Sequence, residues 1–317
     1  MVKNLKNLKV VYMGTPNFSV PTLEMLIEET NVIGVVTQED KEVGRKKVLT
    51  PSPVKECALK HNIKVLTPHK IREEYQDIID LDPDIIITCA YGQIVPKELL
   101  DFPYYGCINI HGSILPEYRG ASPIQSAIMN GDTETGITIM YMDEQMDTGN
   151  IINMDKIDID ITDTYGTLSD KLSIVGKNLL LKTLPKIIAD DNWNIKQDDG
   201  AATYTKKITR EQERLDFSKT KKEVYDYIRA LNPSPLANIL LNGEEIKIVE
   251  ARLGADKTGE IGVITAVNKD SFSIQCSDGL IDVTMIKRAG KNIMDVKSFL
   301  NGYNKDNLIN KKVNNEE

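Results

Sequence analysis

The feature that most constrains this chain is a series of five short Val/Ile-rich runs in its first third: LKVVYM (8–13), NVIGVVT (31–37), IKVLT (63–67), DIIITCA (84–90) and INI (108–110). Unbroken branched apolar runs suit strands buried on both faces, and the segments between them are long enough for crossover helices. The implied fold class is α/β, a doubly wound, mostly parallel, Rossmann-like sheet with right-handed βαβ connections. One helix is expected from about Ser19 to Glu29, where Val20, Leu23, Leu26 and Ile27 share a face.

The second half reads differently. Leu168, Leu172, Val175, Leu179, Leu180, Leu184 and Ile187 form one stripe along a long amphipathic helix, with Pro185 expected to bend it. A polar stretch without periodicity follows at 192–207 and reads as an interdomain linker. Beyond it a short helix with Val224, Tyr227, Ile228 and Leu231 leads into the runs IKIVEARL, GVITAV, SFSIQCSD and LIDVTMIK. Short strands at regular spacing predict a small C-terminal OB-like β-barrel. The expected organisation is a catalytic domain at 1–191, a linker at 192–207 and a barrel at 208–317, with the Asn/Lys/Glu-rich end after Lys305 expected to fray.

Length and composition, 317 residues with 41% apolar and 27% charged, suit a globular protein of two domains. No apolar run reaches the roughly 18 residues of a membrane span, and the basic opening Met1 to Lys9 lacks the core of a signal peptide. A cytoplasmic protein, with no membrane partner and no sign of obligate oligomerisation, is therefore expected. Four cysteines and three histidines are too dispersed for a metal site, and no metal is expected. Residues 208–317 hold 17 Lys+Arg against 17 Asp+Glu, so the net charge of −8 falls on residues 1–207. That balance argues against a nonspecific DNA coater, while local basic patches can still contact nucleic acid.

Three stretches carry candidate chemistry. Gly14-Thr15-Pro16 follows the first strand, where ligands bind in doubly wound sheets, but GTPNFS lacks both the dinucleotide glycines and the P-loop Gly-Lys-Ser/Thr. Asn109 and His111 lie two apart on a strand and share a face. Asp147, in MYMDEQMDTGN, supplies a carboxylate able to orient an imidazole. An Asn amide, a His and an Asp can serve acyl or formyl transfer, with two oxyanion donors and a carboxylate to order proton movement; a structural hydrogen-bond cluster is the alternative. The third stretch is the long loop QEDKEVGRKKVLTPSP (38–53), with Arg45, Lys46 and Lys47 together. Its alternative is a solvated basic turn.

Asn109-Ile110-His111-Gly112-Ser113-Ile114-Leu115-Pro116, then Tyr118-Arg119-Gly120-Ala121-Ser122-Pro123-Ile124-Gln125, with Asp147 in MDTG, closely resemble the folate-dependent formyltransferases. The likeness continues through Gly14-Thr15-Pro16, the 37–55 loop, AYGQIVP (90–96), ETGITIMYMDEQMDTG (134–149) and LNPSP (231–235). It implies 10-formyltetrahydrofolate as formyl donor and the amino group of initiator methionyl-tRNA as acceptor. It further implies that Asn109 and His111 stabilise a tetrahedral oxyanion, that Asp147 orients His111 and moves a proton, and that Ser113, Ile114, Leu115 and Pro116 contact folate. Arg45, Lys46 and Lys47 match an insertion that approaches the acceptor end of the tRNA, and the barrel would contact the tRNA body. Two departures stand out: the barrel domain is neutral, with Lys287, Arg288 and Lys291 its best basic patch, and Tyr118 stands where Trp is commoner. The competing acceptors are a glycinamide ribotide or a nucleotide amino sugar; outside the enzyme class, the competitor is a silent RNA-binding relative.

Overall fold

The computed structural model describes residues 4–44, 46–189, 193–303 and 305–315. In chain order the strands are β1 (Lys9–Gly14), β2 (Asn31–Val36), β3 (Lys41–Val43), β4 (Val48–Thr50), β5 (Val65–Leu66), β6 (Ile85–Cys89), β7 (Cys107–His111), β8 (Arg119–Gly120), β9 (Glu134–Tyr141), β10 (Ile151–Asp158) and β11 (Tyr204–Thr205). Six more follow: β12 (Ala237–Leu241), β13 (Glu244–Asp256), β14 (Ile264–Val267), β15 (Phe272–Gln275), β16 (Gly279–Arg288) and β17 (Ile293–Asp295). The chain divides into two compact units, one of Met1–Pro123, Glu134–Asp158 and Ser169–Thr205, the other of Ile124–Thr133, Ile159–Leu168 and Lys206–Glu317.

The first unit is built on a seven-stranded sheet of order β10-β9-β7-β6-β1-β2-β5. The five strands expected from the apolar runs are β1, β2, β5, β6 and β7, and every pairing among them is parallel. Strands β1 and β6 are buried almost throughout, as continuous Val/Ile runs require. The chain winds outward from β1 through β2 to β5, then returns to β6 on the other side. The topological switch point therefore lies between the carboxyl ends of β1 and β6. There is little room at that point: a Cβ on Gly14 would stand 3.1 Å from the carbonyl oxygen of Cys89.

Beyond β7 the sheet changes sense. Strands β9 and β10 are antiparallel, the outer one half exposed. The run ITIMY forms most of β9, a strand that the five runs do not predict. The helix Val20–Glu29 buries Leu23, Met25 and Leu26. The long helix Tyr165–Ile188 buries Leu172, Leu179, Leu180 and Leu184 and carries Pro185 within it. Its Gly176 lies so close to Ile110 that an added Cβ would meet Ile110 Cγ2 at 3.1 Å. This helix thus covers the face of β7 to which Ile110 points, leaving the opposite face to Asn109 and His111.

The second unit is the antiparallel β domain, of order β12-β13-β16-β15-β14 with β17 on β16, around a core including Phe272, Ile274, Ile248 and Phe299. Within the described residues, the tail after Lys305 is tied to the sheet on both sides. Asn310 N–H donates to Ile264 O and Val313 N–H to Gly262 O on one side, while Asn314 N–H donates to Leu240 O on the other. This segment bridges the two outer strands, β14 and β12, and closes the sheet. The composition of the tail concealed Leu308 and Val313, which are buried in the core. Of the basic turn, Arg288 is held bidentately by Glu244 at 2.7 and 2.8 Å, so its charge is locally balanced. Leu308→Ala should lower the unfolding free energy by about 2–5 kcal/mol, the range for a buried Leu. Urea denaturation showing no loss would mean the closure contributes nothing.

Candidate active site

Strand β7 pairs with β6 in the register Thr88↔Asn109 and with β9 in the register His111↔Thr138. The pleat sends Asn109 and His111 to one face, and the β9–β10 connection folds over that face carrying Asp147. One carboxylate oxygen, Asp147 Oδ1, stands 3.5 Å from Asn109 Nδ2 and 3.6 Å from His111 Nδ1. The other, Oδ2, accepts a 2.8 Å hydrogen bond from the backbone N–H of Gly120. The structure therefore brings together the three residues singled out by spacing and likeness, with side chains of His111 and Asp147 only 6% and 11% exposed.

Each orientation has a cause. Thr88 Oγ1 donates to Asn109 Oδ1 at 2.8 Å, which turns the amide so that Nδ2, its donor end, faces the carboxylate. His111 Nε2 is 3.0 Å from the carbonyl oxygen of Tyr118, an acceptor only, so Nε2 carries a proton and Nδ1 is the nitrogen facing Asp147. A donor at Nδ1 then requires the doubly protonated ring, for which Asp147 is the counter-charge. Asp147 has φ 59°, a left-handed conformation costing a residue with a side chain about 1–2 kcal/mol. Gly149 two residues on has no space for a Cβ, which would fall 1.9 Å from Tyr141 O.

The turn Ser113 to Pro116 is rigid and partly turned inward. Thr138 Oγ1 donates to Ser113 O at 2.7 Å and accepts from Leu115 N–H at 3.1 Å, while Ser113 Oγ donates to Glu117 O at 2.6 Å. Ser113 and Leu115 are buried, the latter against Met140 and Ile151, so the turn offers its backbone and the half-exposed Ile114 and Pro116 to a ligand. Lys46 and Lys47 sit elsewhere, at the turn of the hairpin β3–β4, where Lys47 pairs with Glu42 at 3.3 Å. Val43, Val48 and Leu49 on this hairpin are more than half exposed. Arg45 lies outside the described residues.

The stretch expected to link the domains forms part of the site's framework. β11 pairs with β8 in parallel, and Gln197, Asp199 and Tyr204 all bond to the buried side chain of Arg119. Burial works against the charge on that guanidinium, and the hydrogen bonds it donates to Asp199 and Tyr204 outweigh it, leaving its pKa raised. A polar cavity of about 640 Å³ opens beside the Asp147 loop, with Arg119, Gln197, Tyr204, Met142 and Lys97 in its wall. At the switch point, burial pushes the Cys89 thiol up to about 12 and the Tyr12 hydroxyl well above its usual value. A neutral, buried thiol there is no nucleophile. Among the described residues, no group of His, Cys, Asp and Glu is arranged to hold a metal ion.

Residues 6–184 match the formyl transferase family model and residues 207–304 match the formyl transferase C-terminal domain. The chain belongs to the formyl transferase family. It is 50% identical over 299 residues to the methionyl-tRNA formyltransferase of Bacillus subtilis, covering 93% of this chain and 94% of that one. Among solved structures, it resembles HypX from Aquifex aeolicus in complex with tetrahydrofolic acid (TM-score 0.64, 16% identity, 93% of this chain and 47% of that one). It also resembles the methionyl-tRNA formyltransferase of Clostridium thermocellum (TM-score 0.55, 19% identity, 80% and 95%). At those identities the structures speak to fold alone.

For a formyltransferase, an amide donor, an imidazole and a carboxylate around one point can hold a tetrahedral intermediate and shuttle its proton. Sequence reading missed Thr88, Gly120 N–H and Gln197. The first two are adjacent only through strand pairing and chain folding, and Gln197 stands in a stretch with no local signal. Thr88→Val, which keeps the shape and removes the hydroxyl, should cut kcat about tenfold by freeing the Asn109 amide to rotate. An unchanged kcat would show that the amide is oriented by other contacts.

Proposed function

We propose that this chain transfers the formyl group of 10-formyltetrahydrofolate to the α-amino group of initiator methionyl-tRNA. The observation that carries this reading is the 50% identity, over 93% of the chain, to a relative named for that substrate, with the Asn109–His111–Asp147 cluster supplying suitable chemistry. The amine attacks the formyl carbon, and the carbonyl electrons move to oxygen. Asn109 Nδ2 and His111 stabilise that oxyanion. Asp147 accepts the proton released as the new C–N bond forms. The oxyanion's electron pair then re-forms the carbonyl as the C–N bond to N10 of the folate breaks, and N10 leaves with the proton that Asp147 took from the amine.

An α-amino group with a pKa near 8 is partly neutral at neutral pH, so no strong base is needed and positioning can supply much of the rate. Ser113 to Pro116 are assigned to folate, chiefly through the turn's backbone, Ile114 and Pro116. Catalysis is assigned to residues 1–191 and tRNA binding to Arg45, Lys46 and Lys47 of the 38–53 stretch together with residues 208–317. Charge and a β-ribbon shape suit the hairpin for phosphate contact. Four buried, unpaired cysteines suit a reducing cytoplasm.

Formylmethionyl-tRNA produced from 10-formyltetrahydrofolate and initiator methionyl-tRNA is the direct test. Turnover of a glycinamide ribotide or amino-sugar nucleotide with none of the tRNA would overturn it. His111→Ala and Asp147→Ala should each lower kcat by about 10²–10⁴-fold with folate affinity nearly unchanged, because their roles arise in the transition state. Equilibrium folate binding measured beside kcat separates the two effects. Arg45→Ala should raise KM for tRNA severalfold at unchanged folate KM, and the same KM for both proteins would remove the hairpin from the tRNA site.

A further inference from the structure

Gln197 lies between the two stretches matched by the family models, residues 6–184 and 207–304, yet it is buried and both ends of its amide are hydrogen-bonded. Its Oε1 accepts from Arg119 Nε at 2.9 Å, and a guanidinium can only donate. Nε2 is thereby turned the other way, where it donates to the backbone carbonyls of Asp147 at 2.9 Å and Gly149 at 2.8 Å. These two bonds grip the chain on either side of Thr148, in the segment where Asp147 holds its left-handed φ of 59°. A strained conformation of this kind persists only where its surroundings over-determine it.

The grip is anchored in turn. Arg119, 1% exposed, is fixed by Asp199 at 2.8 Å and Tyr204 Oη at 3.3 Å. The neighbouring Gly120 supplies the N–H that takes Asp147 Oδ2. Glycine is required at 120, with φ 115° and a would-be Cβ 2.2 Å from Thr205 O. A Met or Leu would fill the volume of Gln197. Only a side chain with an acceptor for Arg119 and two donors for the carbonyls meets all three partners.

We propose that Gln197 is a positioning residue for formyl transfer, which holds the backbone of Asp147 so that its carboxylate meets Asn109 and His111. The inference rests on the role given to Asp147 under the proposed function. Gln197→Met keeps the bulk and removes the donors, while Gln197→Glu keeps the acceptor for Arg119 and turns a carboxylate towards two carbonyls. Single-turnover rates with enzyme in excess should fall about 10- to 100-fold for both variants, with KM for folate and for tRNA within about twofold of the parent, and both should unfold cooperatively at a temperature lowered by the polar groups left unpaired.

The deciding measurement repeats both substitutions in an Asp147→Ala background. If Gln197 acts through Asp147, its replacement there should cost less than about twofold, a strongly non-additive cycle. Unchanged rates in the single variants, or an equal fall with and without Asp147, overturn the proposal and leave the role of Asp147 standing. Asp147→Ala turning over at the parental rate would instead overturn the role of Asp147 itself, so the two failures are distinguishable.

Discussion

The position of β7, between parallel β6 and antiparallel β9, is the constraint on which the site depends. Parallel pairing with β6 sets Asn109 beside Thr88, whose hydroxyl orients the amide. Antiparallel pairing with β9 sets His111 beside Thr138, which staples the following turn. The same reversal requires a connection from β9 to β10, and that connection folds back over β7 with Asp147 at its crest. Pleat alternation completes the division, because Ile110 faces the helix at Gly176 while its neighbours face the site.

Electrostatics at the site is a matter of satisfied partners. The buried guanidinium of Arg119 would be costly alone and is held by a carboxylate, a phenol and an amide. The Asp147 carboxylate, nearly buried, meets a backbone N–H, an amide and an imidazole. The thiol nearest the switch point is neutral. Such a site is suited to stabilising charge that develops on a substrate, and it contains no activated covalent nucleophile. Rigidity around it has the same purpose, since donors that need not reorganise stabilise an oxyanion most effectively.

Much of this was legible before any coordinates. The five apolar runs marked the parallel strands because a strand buried on both faces must be apolar throughout. Asn109 and His111 were placed on one face by the period of two alone. Asp147 came from the run MYMDEQMDTGN, and the likeness to folate-dependent formyltransferases joined it to Asn109 and His111, although no local rule ties it to β7. Two polar stretches carry no periodic signal. The 192–207 stretch and the chain end both look polar and aperiodic, yet the first bonds to Arg119 and the Asp147 loop and the second closes the β domain. Their roles rest on backbone bonds and isolated side chains such as Gln197, Leu308 and Val313, which leave no periodic pattern.

By itself, the sequence determined the five parallel strands, the face that Asn109 and His111 share, and which three polar residues could share formyl-transfer chemistry, because burial and pleat impose short-range periods that composition must obey. Tertiary structure alone decided that a single carboxylate oxygen faces both Asn109 and His111, that Thr88 and Gln197 stand behind them, and that Ser113 and Leu115 turn inward. Those outcomes depend on the register between strands and on how the β9–β10 connection folds back. Register is set by the packing of the whole sheet, and no window of neighbouring residues contains it.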